Sequence, residues 1–142
     1  MIPQTLTHVL DLLSSFILIG LALDHFVTGF IGFFLPHKSE ALITKMFGIT
    51  ITDKEFYKMI VRPWGALGLF ASGVGILPVI DPIRFSPVSY MLIVLLLLRV
   101  YYRLEEAKKA KVVLGISSSR NLFHVLLIVL CLLAVIEKII LK

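Results

Sequence analysis

The sequence predicts an all-α polytopic membrane protein, a single domain over residues 1–142 built as a four-transmembrane-helix up-down bundle with a short amphipathic interfacial helix after span one. Three observations lead there. Hydrophobic residues make up 58% of the chain and charged residues 16%, against about 45–50% and about 25% in an ordinary soluble domain. The apolar excess is gathered into four blocks separated by charged stretches. Each block reaches or approaches the roughly 20 residues that a helix rising about 1.5 Å per residue needs to cross the hydrocarbon core. Strands of a β-barrel would instead be about ten residues long and alternate in character, which these blocks do not.

The first span covers about residues 9–35 and stops at Pro36. It is too long for the apolar part of a secretory signal, and the basic start of such a signal is missing, since the first Lys or Arg is Lys38. Ser39 to Phe47 reads as the amphipathic piece, with Leu42, Ile43, Met46 and Phe47 on one side and Gly48 as its stop; such a piece lies on the membrane surface. Thr52-Asp53-Lys54-Glu55 has the pattern of a capping box, so a helix is expected to start at Asp53 and lead into the second span, residues 60–80. Pro63 removes a backbone hydrogen bond and is expected to kink or restart that helix.

Asp81-Pro82 and Ser86-Pro87 bracket a tight turn, with Ser86 as the expected N-cap of the third span, residues 87–103. That span is short, so Arg99 and Arg103 must end near a surface. Lys108 to Ser119 is a basic connection closed by Gly115 and three serines. The fourth span, residues 121–141, holds the single cysteine, Cys131, which has no partner for an internal disulfide and is expected as a small core residue.

With four spans both termini share one side. The opposite side carries Lys38, Lys45, Lys54, Lys58, Arg62, Arg99, Arg103, Lys108, Lys109, Lys111 and Arg120, eleven cations, against Arg84, Lys138 and Lys142 on the terminus side. The positive-inside rule puts the long loops in the cytoplasm and the termini outside, or in a lumen. The net charge of +5 then faces an anionic leaflet, so membrane lipid is an expected partner. No aromatic-interleaved basic patch points to nucleic acid.

Small residues suggest how the helices meet. Gly20, Asp24, Thr28 and Gly32 recur every four residues on one face of the first span, and Gly65, Gly68, Ser72 and Gly75 make a similar stripe on the second. Lipid gives helices no hydrophobic reason to associate, so close approach over small residues supplies the contact. The two stripes are expected to face each other or the fourth span.

The polar residues within the spans are the candidate site. Asp24 lies 12 residues before Pro36, roughly 15–18 Å from that end of the helix and close to the bilayer midplane. An acid at that depth is a functional candidate by default. Arg62 opens the second span, Arg99 lies one turn from Arg103, and Asn121 and His124 are neighbours in the first turn of the fourth. Together they can line a polar pocket open to the cytoplasm, with Asp24 and His25 at its floor. Bland readings stand beside this one. Arg62, Arg103 and Arg120 also suit interfacial anchors, Arg99 suits either a snorkelling anchor or an ion pair with Asp24, and His124 suits helix packing. Asp11 and Glu137 are expected at the outer interface.

His25 and His124 differ in depth by roughly 10 Å, too much for one haem iron. No catalytic, metal or cofactor signature occurs in the sequence.

Asp24-His25, then Pro36, then Arg62-Pro63-Trp64-Gly65 opening the second span, then Arg99 near the end of the third, resembles small four-helix membrane proteins of the DoxX-like kind. It is also similar to the ergosterol-biosynthesis scaffold family, whose second span opens with an Arg, a Gly and an aromatic. The resemblance covers most of the chain as architecture and a few residues as motif. It implies an accessory or scaffold role beside a larger membrane enzyme and carries over no catalytic residue.

Three functions are compatible with these residues. The first is a non-catalytic membrane subunit or scaffold that forms homo- or hetero-oligomers with other integral membrane proteins. The second is a small lipid- or quinone-handling protein that uses the polar pocket. The third is a proton-coupled transporter using Asp24.

Overall fold

A computed structural model describes residues 4–49 and 51–140. Leu141 and Lys142, the end of the expected fourth span, lie outside the described residues, as does the side chain of Phe47. The chain forms six helices: α1 (Gln4–Phe34), α2 (Pro36–Phe47), α3 (Lys54–Ile80), α4 (Ser86–Glu105), α5 (Ala107–Leu114) and α6 (Ser118–Ile140). Among the described residues there is no strand. Helices α1, α3, α4 and α6 are long and apolar enough to cross a membrane. A helix suits that solvent because it satisfies its own backbone N–H and C=O groups where water is absent. With 31 residues, α1 measures about 46 Å and outruns the roughly 30 Å hydrocarbon core, so it tilts or projects.

Several boundaries differ from the sequence expectation, each for a local reason. The first span does end beside Pro36, since Leu35 before the proline leaves the helical region and α1 stops at Phe34. The new feature is that α2 begins at Pro36 and not at Ser39, with the missing proline N–H costing nothing at a first helical position. The cap of α3 is Asp53 and not Thr52, its carboxylate accepting from the Phe56 amide at 2.9 Å. Glu55, freed from a capping box, pairs with Lys58 at 2.6 Å. Helix α3 runs on through Pro63 and Pro78. Ser86 is inside α4, and the turn before it is held by Asp81, whose carboxylate accepts from the Ile83 and Arg84 amides at 3.1 and 2.9 Å. The basic connection contains α5, and Ser117 caps α6 through the Arg120 amide at 3.3 Å.

Helix α1 lies between α3 and α6 and packs most extensively on α3; α4 packs on α6, and α3 and α4 meet only sparsely. The residues in contact show α1 antiparallel to both neighbours. Gly32 meets Val61 while Gly29 meets Gly68, and Asp11 reaches Lys138. The apolar core, Leu18, Leu96, Ile128, Cys131, Ala134 and Val135, sits where α1, α4 and α6 converge. Large apolar side chains such as Phe16, Phe70, Met91 and Leu98 point outward, which a lipid solvent accepts.

The α1–α3 seam is made of backbone. A β-carbon at Gly65 would stand 2.4 Å from the Phe33 nitrogen, and one at Gly29 would stand 2.7 Å from the Leu69 nitrogen. Gly32 and Gly68 complete the seam, so these two pairs face each other. Gly20, expected in the stripe, has open space around it, and Thr28 turns its hydroxyl back to the Asp24 carbonyl at 2.6 Å. The contact glycine on that turn is Gly29. Gly75 is buried without a neighbour within 4 Å of a β-carbon, and Ser72 lines a shallow groove.

At the loop end, Ser39 is buried and shares a 2.7 Å hydrogen bond with the Tyr57 hydroxyl, tying α2 to α3. Gly48 ends α2 at a φ of +67° with the Arg120 guanidinium directly against it.

Gly65→Ala should lower stability by roughly 1–3 kcal/mol, the usual cost of forcing atoms into a filled interface. Gly20→Ala should leave it unchanged or raise it by up to about 1 kcal/mol through helix propensity. Unfolding in mixed micelles measures both; equal effects would contradict the seam.

Candidate functional site

Polar side chains gather at two depths along α1. The deeper group begins at His25. Its Nδ1 lies 2.9 Å from the Leu21 carbonyl, which only accepts, so Nδ1 carries the hydrogen and Nε2 offers its lone pair outward. Arg99 Nη1 stands 3.4 Å from that Nε2. Of the two readings open for Arg99, a snorkelling anchor or an ion pair with Asp24, the ion pair is not formed: Arg99 meets the histidine. Neighbouring residues on a helix point in different directions, so an arginine that reaches His25 does not also meet the residue before it. The Asp24 carboxylate is 3.8 Å from His25 Nδ1, beyond hydrogen-bonding range, and 49% of its side chain is exposed.

One turn toward the loop end, Asn121 joins α4 to α6. It is only 6% exposed. Its amide donates to the Arg103 carbonyl at 3.0 Å and its carbonyl oxygen accepts from Arg103 Nη1 at 3.2 Å. His124 follows on the same face, within electrostatic reach of the Arg120 backbone and of the Arg103, Arg120 and Arg99 side chains. Arg62 is exposed on α3 and makes no hydrogen bond or ion pair with any of these groups among the described residues. The structure thus brings together His25 with Arg99 and Arg103 with Asn121, keeps Asp24 at the margin, and leaves Arg62 out.

The second group sits at the end where the termini lie and includes Asp11 and Glu137, the two acids expected at the outer interface. Lys138 is 4% exposed. Its ammonium donates to Asp11 Oδ1 at 2.5 Å, Ser15 Oγ at 2.7 Å and the Asp11 carbonyl at 3.0 Å. Three donors meet three acceptors, which is what a buried ammonium requires. Beside it, buried Ser14 bonds the Glu137 carboxylate and lies 3.0 Å from the Asp11 carbonyl. A signal was present in the sequence: Asp11, Ser14 and Ser15 share a face near the start of the first span, and a Glu-Lys pair sits near the end of the last. Antiparallel helices bring such ends level.

Two shallow concavities are apolar and open. One lies on the outer face of α4 along Tyr90, Met91, Val94, Leu95 and Leu98. The other lies between α1 and α3, at Ala22, Phe26, Ser72, Gly73 and Ile76. No group of three or more metal-ligating side chains occurs among the described residues.

Four long apolar helices with polar groups tied across their interfaces define the class, a membrane-embedded helical protein. No family model, no curated protein and no solved structure matches the chain.

Removing one partner of a buried ion pair strands the other, at about 3–5 kcal/mol for a fully buried pair. Asp11 is half exposed, so solvent screening reduces the expected loss for Asp11→Asn to roughly 1–2 kcal/mol. Lys138→Met should be milder than Asp11→Asn, because it removes the buried charge itself. A double-mutant cycle in micelle unfolding checks the pair, and additive effects would show no coupling.

Proposed function

We propose that the protein is a non-catalytic integral membrane subunit or scaffold, a four-helix up-and-down bundle that packs against partner membrane proteins of a larger complex. The reading rests on how the deep polar groups are used. Arg103 and Asn121 join α4 to α6, Lys138 with Asp11 and Ser15 joins α6 to α1, and Arg99 reaches His25 from α4 to α1. These groups hold helices to one another, as polar residues in membrane proteins do when they serve packing. The glycine seam between α1 and α3 works to the same end.

Asp24 stands apart from these ties. A half-exposed carboxylate near the midplane costs about 2.5–3.5 kcal/mol or more in lipid, and a partner helix carrying a basic side chain at that depth would relieve the cost. Gly20, one turn away with open space around it, lets such a helix come close. In this reading α2 lies on the loop-side membrane surface. The loops are cytoplasmic, because eleven cations lie at that end and Lys138 at the other is neutralised by Asp11. The basic loops meet anionic lipid.

A second reading, a lipid- or quinone-handling protein, draws on the apolar groove between α1 and α3. Retention of a quinone or acyl lipid that Ala22→Trp abolishes would favour it over the subunit reading.

The test of the subunit reading is photo-crosslinking from position 23 of the full chain in its native membrane. A discrete adduct with another membrane protein is expected, and Asp24→Asn should reduce it at least several-fold while leaving helix content and melting unchanged. Absence of any protein adduct, with the chain monomeric in mild detergent, would overturn the reading.

A further inference from the structure

Among the described residues no arginine of this fold is in an ion pair. Each ion pair among them uses a lysine: Lys54 with Glu40, Lys58 with Glu55, Lys109 with Glu106 and Lys138 with Asp11, while Asp24 has the neutral His25 beside it. At the loop end of α4 the nearby acids are engaged elsewhere, Glu106 by Lys109 at 2.7 Å and Glu105 by the Tyr101 hydroxyl. Arg99 and Arg103 lie one turn apart on α4 and so share a face. A guanidinium has five N–H donors. Arg99 has one partner among the described residues, His25 Nε2 at a long 3.4 Å, and Arg103 has one, the Asn121 carbonyl oxygen at 3.2 Å. Most donors of both groups are unmatched among the described residues.

Position narrows what can match them. Arg103 and Arg99 precede the end of α4 at Glu105 by two and six residues, about 3 and 9 Å along the axis. That is the depth from head group to upper acyl chain. Arg99 is exposed on the outside of the helices, where a membrane presents lipid. Two forked cations at this level suit a phosphate, which a guanidinium grips with two parallel hydrogen bonds. His124, within electrostatic reach of both arginines, adds a polar wall.

The geometry points to a binding site for the phosphate of an anionic phospholipid of the loop-side leaflet, held by Arg99 and Arg103 with Asn121 and His124 beside them. The site is independent of the subunit reading. Asn121 fixes the Arg103 fork by accepting from one of its nitrogens, which leaves the other edge of that guanidinium for a ligand. Arg99 bridges from α4 to α1 at His25 and sets the inner end of the site. Asp24 is the acid nearest that end. Being beside His25 and half exposed, it disfavours an anion deeper than Arg99 and so places the phosphate toward Arg103.

The test uses the purified full chain in mild detergent, offered mixed phosphatidylglycerol and phosphatidylcholine, with retained lipid counted by native mass spectrometry. The chain should retain phosphatidylglycerol selectively. Arg99→Gln with Arg103→Gln should lower that retention roughly tenfold, the equivalent of one charge-assisted contact of about 1.4 kcal/mol. Arg84→Gln, at the other end, should leave it unchanged. Should the double variant not fold, Arg99→Lys, which keeps the charge and loses the fork, is expected to reduce retention several-fold. Equal retention of the zwitterionic lipid would overturn the site, as would full retention by the arginine variants. Displacement of the lipid by millimolar inorganic phosphate would overturn the lipid assignment in favour of a soluble anion.

Discussion

The contact between the backbones of Gly29 and Gly65 is the constraint on which the rest of the arrangement depends. Two helices whose main chains touch have no freedom to rotate about their own axes, because any other residue at the contact carries a β-carbon that would overlap backbone. Rotation of α1 is thereby fixed by its α3 side. Ser14 and Leu18 then meet α6 and the core, and His25 is presented to Arg99. Moving the contact by one residue would turn every one of these groups by about 100°, the angle between successive residues on a helix. In lipid no hydrophobic pressure would restore them.

The other seam follows a different rule. Between α1, α4 and α6 the packing is of ordinary side chains, Leu18 against Leu96, Ile128 and Val135, with polar ties at either end of the stack. The ties and the apolar stack are complementary. Apolar side chains among lipid tails gain packing but little selectivity, since a lipid chain is as good a neighbour as leucine. A buried ammonium that finds all three acceptors only at one vertical offset, or an asparagine that exchanges hydrogen bonds with one arginine, sets the offset. Lys138 and Asn121 therefore act as register marks, one near each end of α6.

The sequence made the helical class legible because it depends on composition over long windows, and the spans fell within a few residues of the helices. What it hid depended on single residues. Thr52 and Asp53 are both good N-caps, and only the backbone shows that Asp53 accepts from the Phe56 amide. Gly20 and Gly29 are both glycines in α1, yet nothing in their spacing tells that the second lies against α3 while the first faces outward. The polar residues were all visible, but their pairing was not. Asp24 and Arg99 attract on a charge argument, whereas the structure gives Arg99 to His25. Lys138 enters the sequence reading only as one of the terminus-side cations, because a buried lysine is rare unless its partners are seen, and those partners are 127 and 123 residues away in the chain.

The division of labour between lysine and arginine follows from their chemistry. Four ammonium groups here close pairs within the protein: Lys54, Lys58 and Lys109 on the surface beside a glutamate, and Lys138 in the interior with Asp11. A compact charge with three donors can be saturated by one carboxylate and two further oxygens, and the Lys138 site does so completely. A guanidinium has more donors than one side chain can fill, so the single amide contact of Arg103 leaves it with residual capacity. The paired lysines therefore close the fold upon itself, while the guanidiniums of Arg99 and Arg103 keep donors that these contacts do not use. Where these types fall along the helices separates the two ends of the molecule: at the terminus end of the α1–α6 seam the buried cation is paired with Asp11, while the loop end keeps the exposed guanidinium of Arg99. That asymmetry deepens the charge bias already present in the loops, because the cation buried at the terminus end is cancelled by its own partner, whereas Arg99 and Arg103 at the loop end make no ion pair among the described residues.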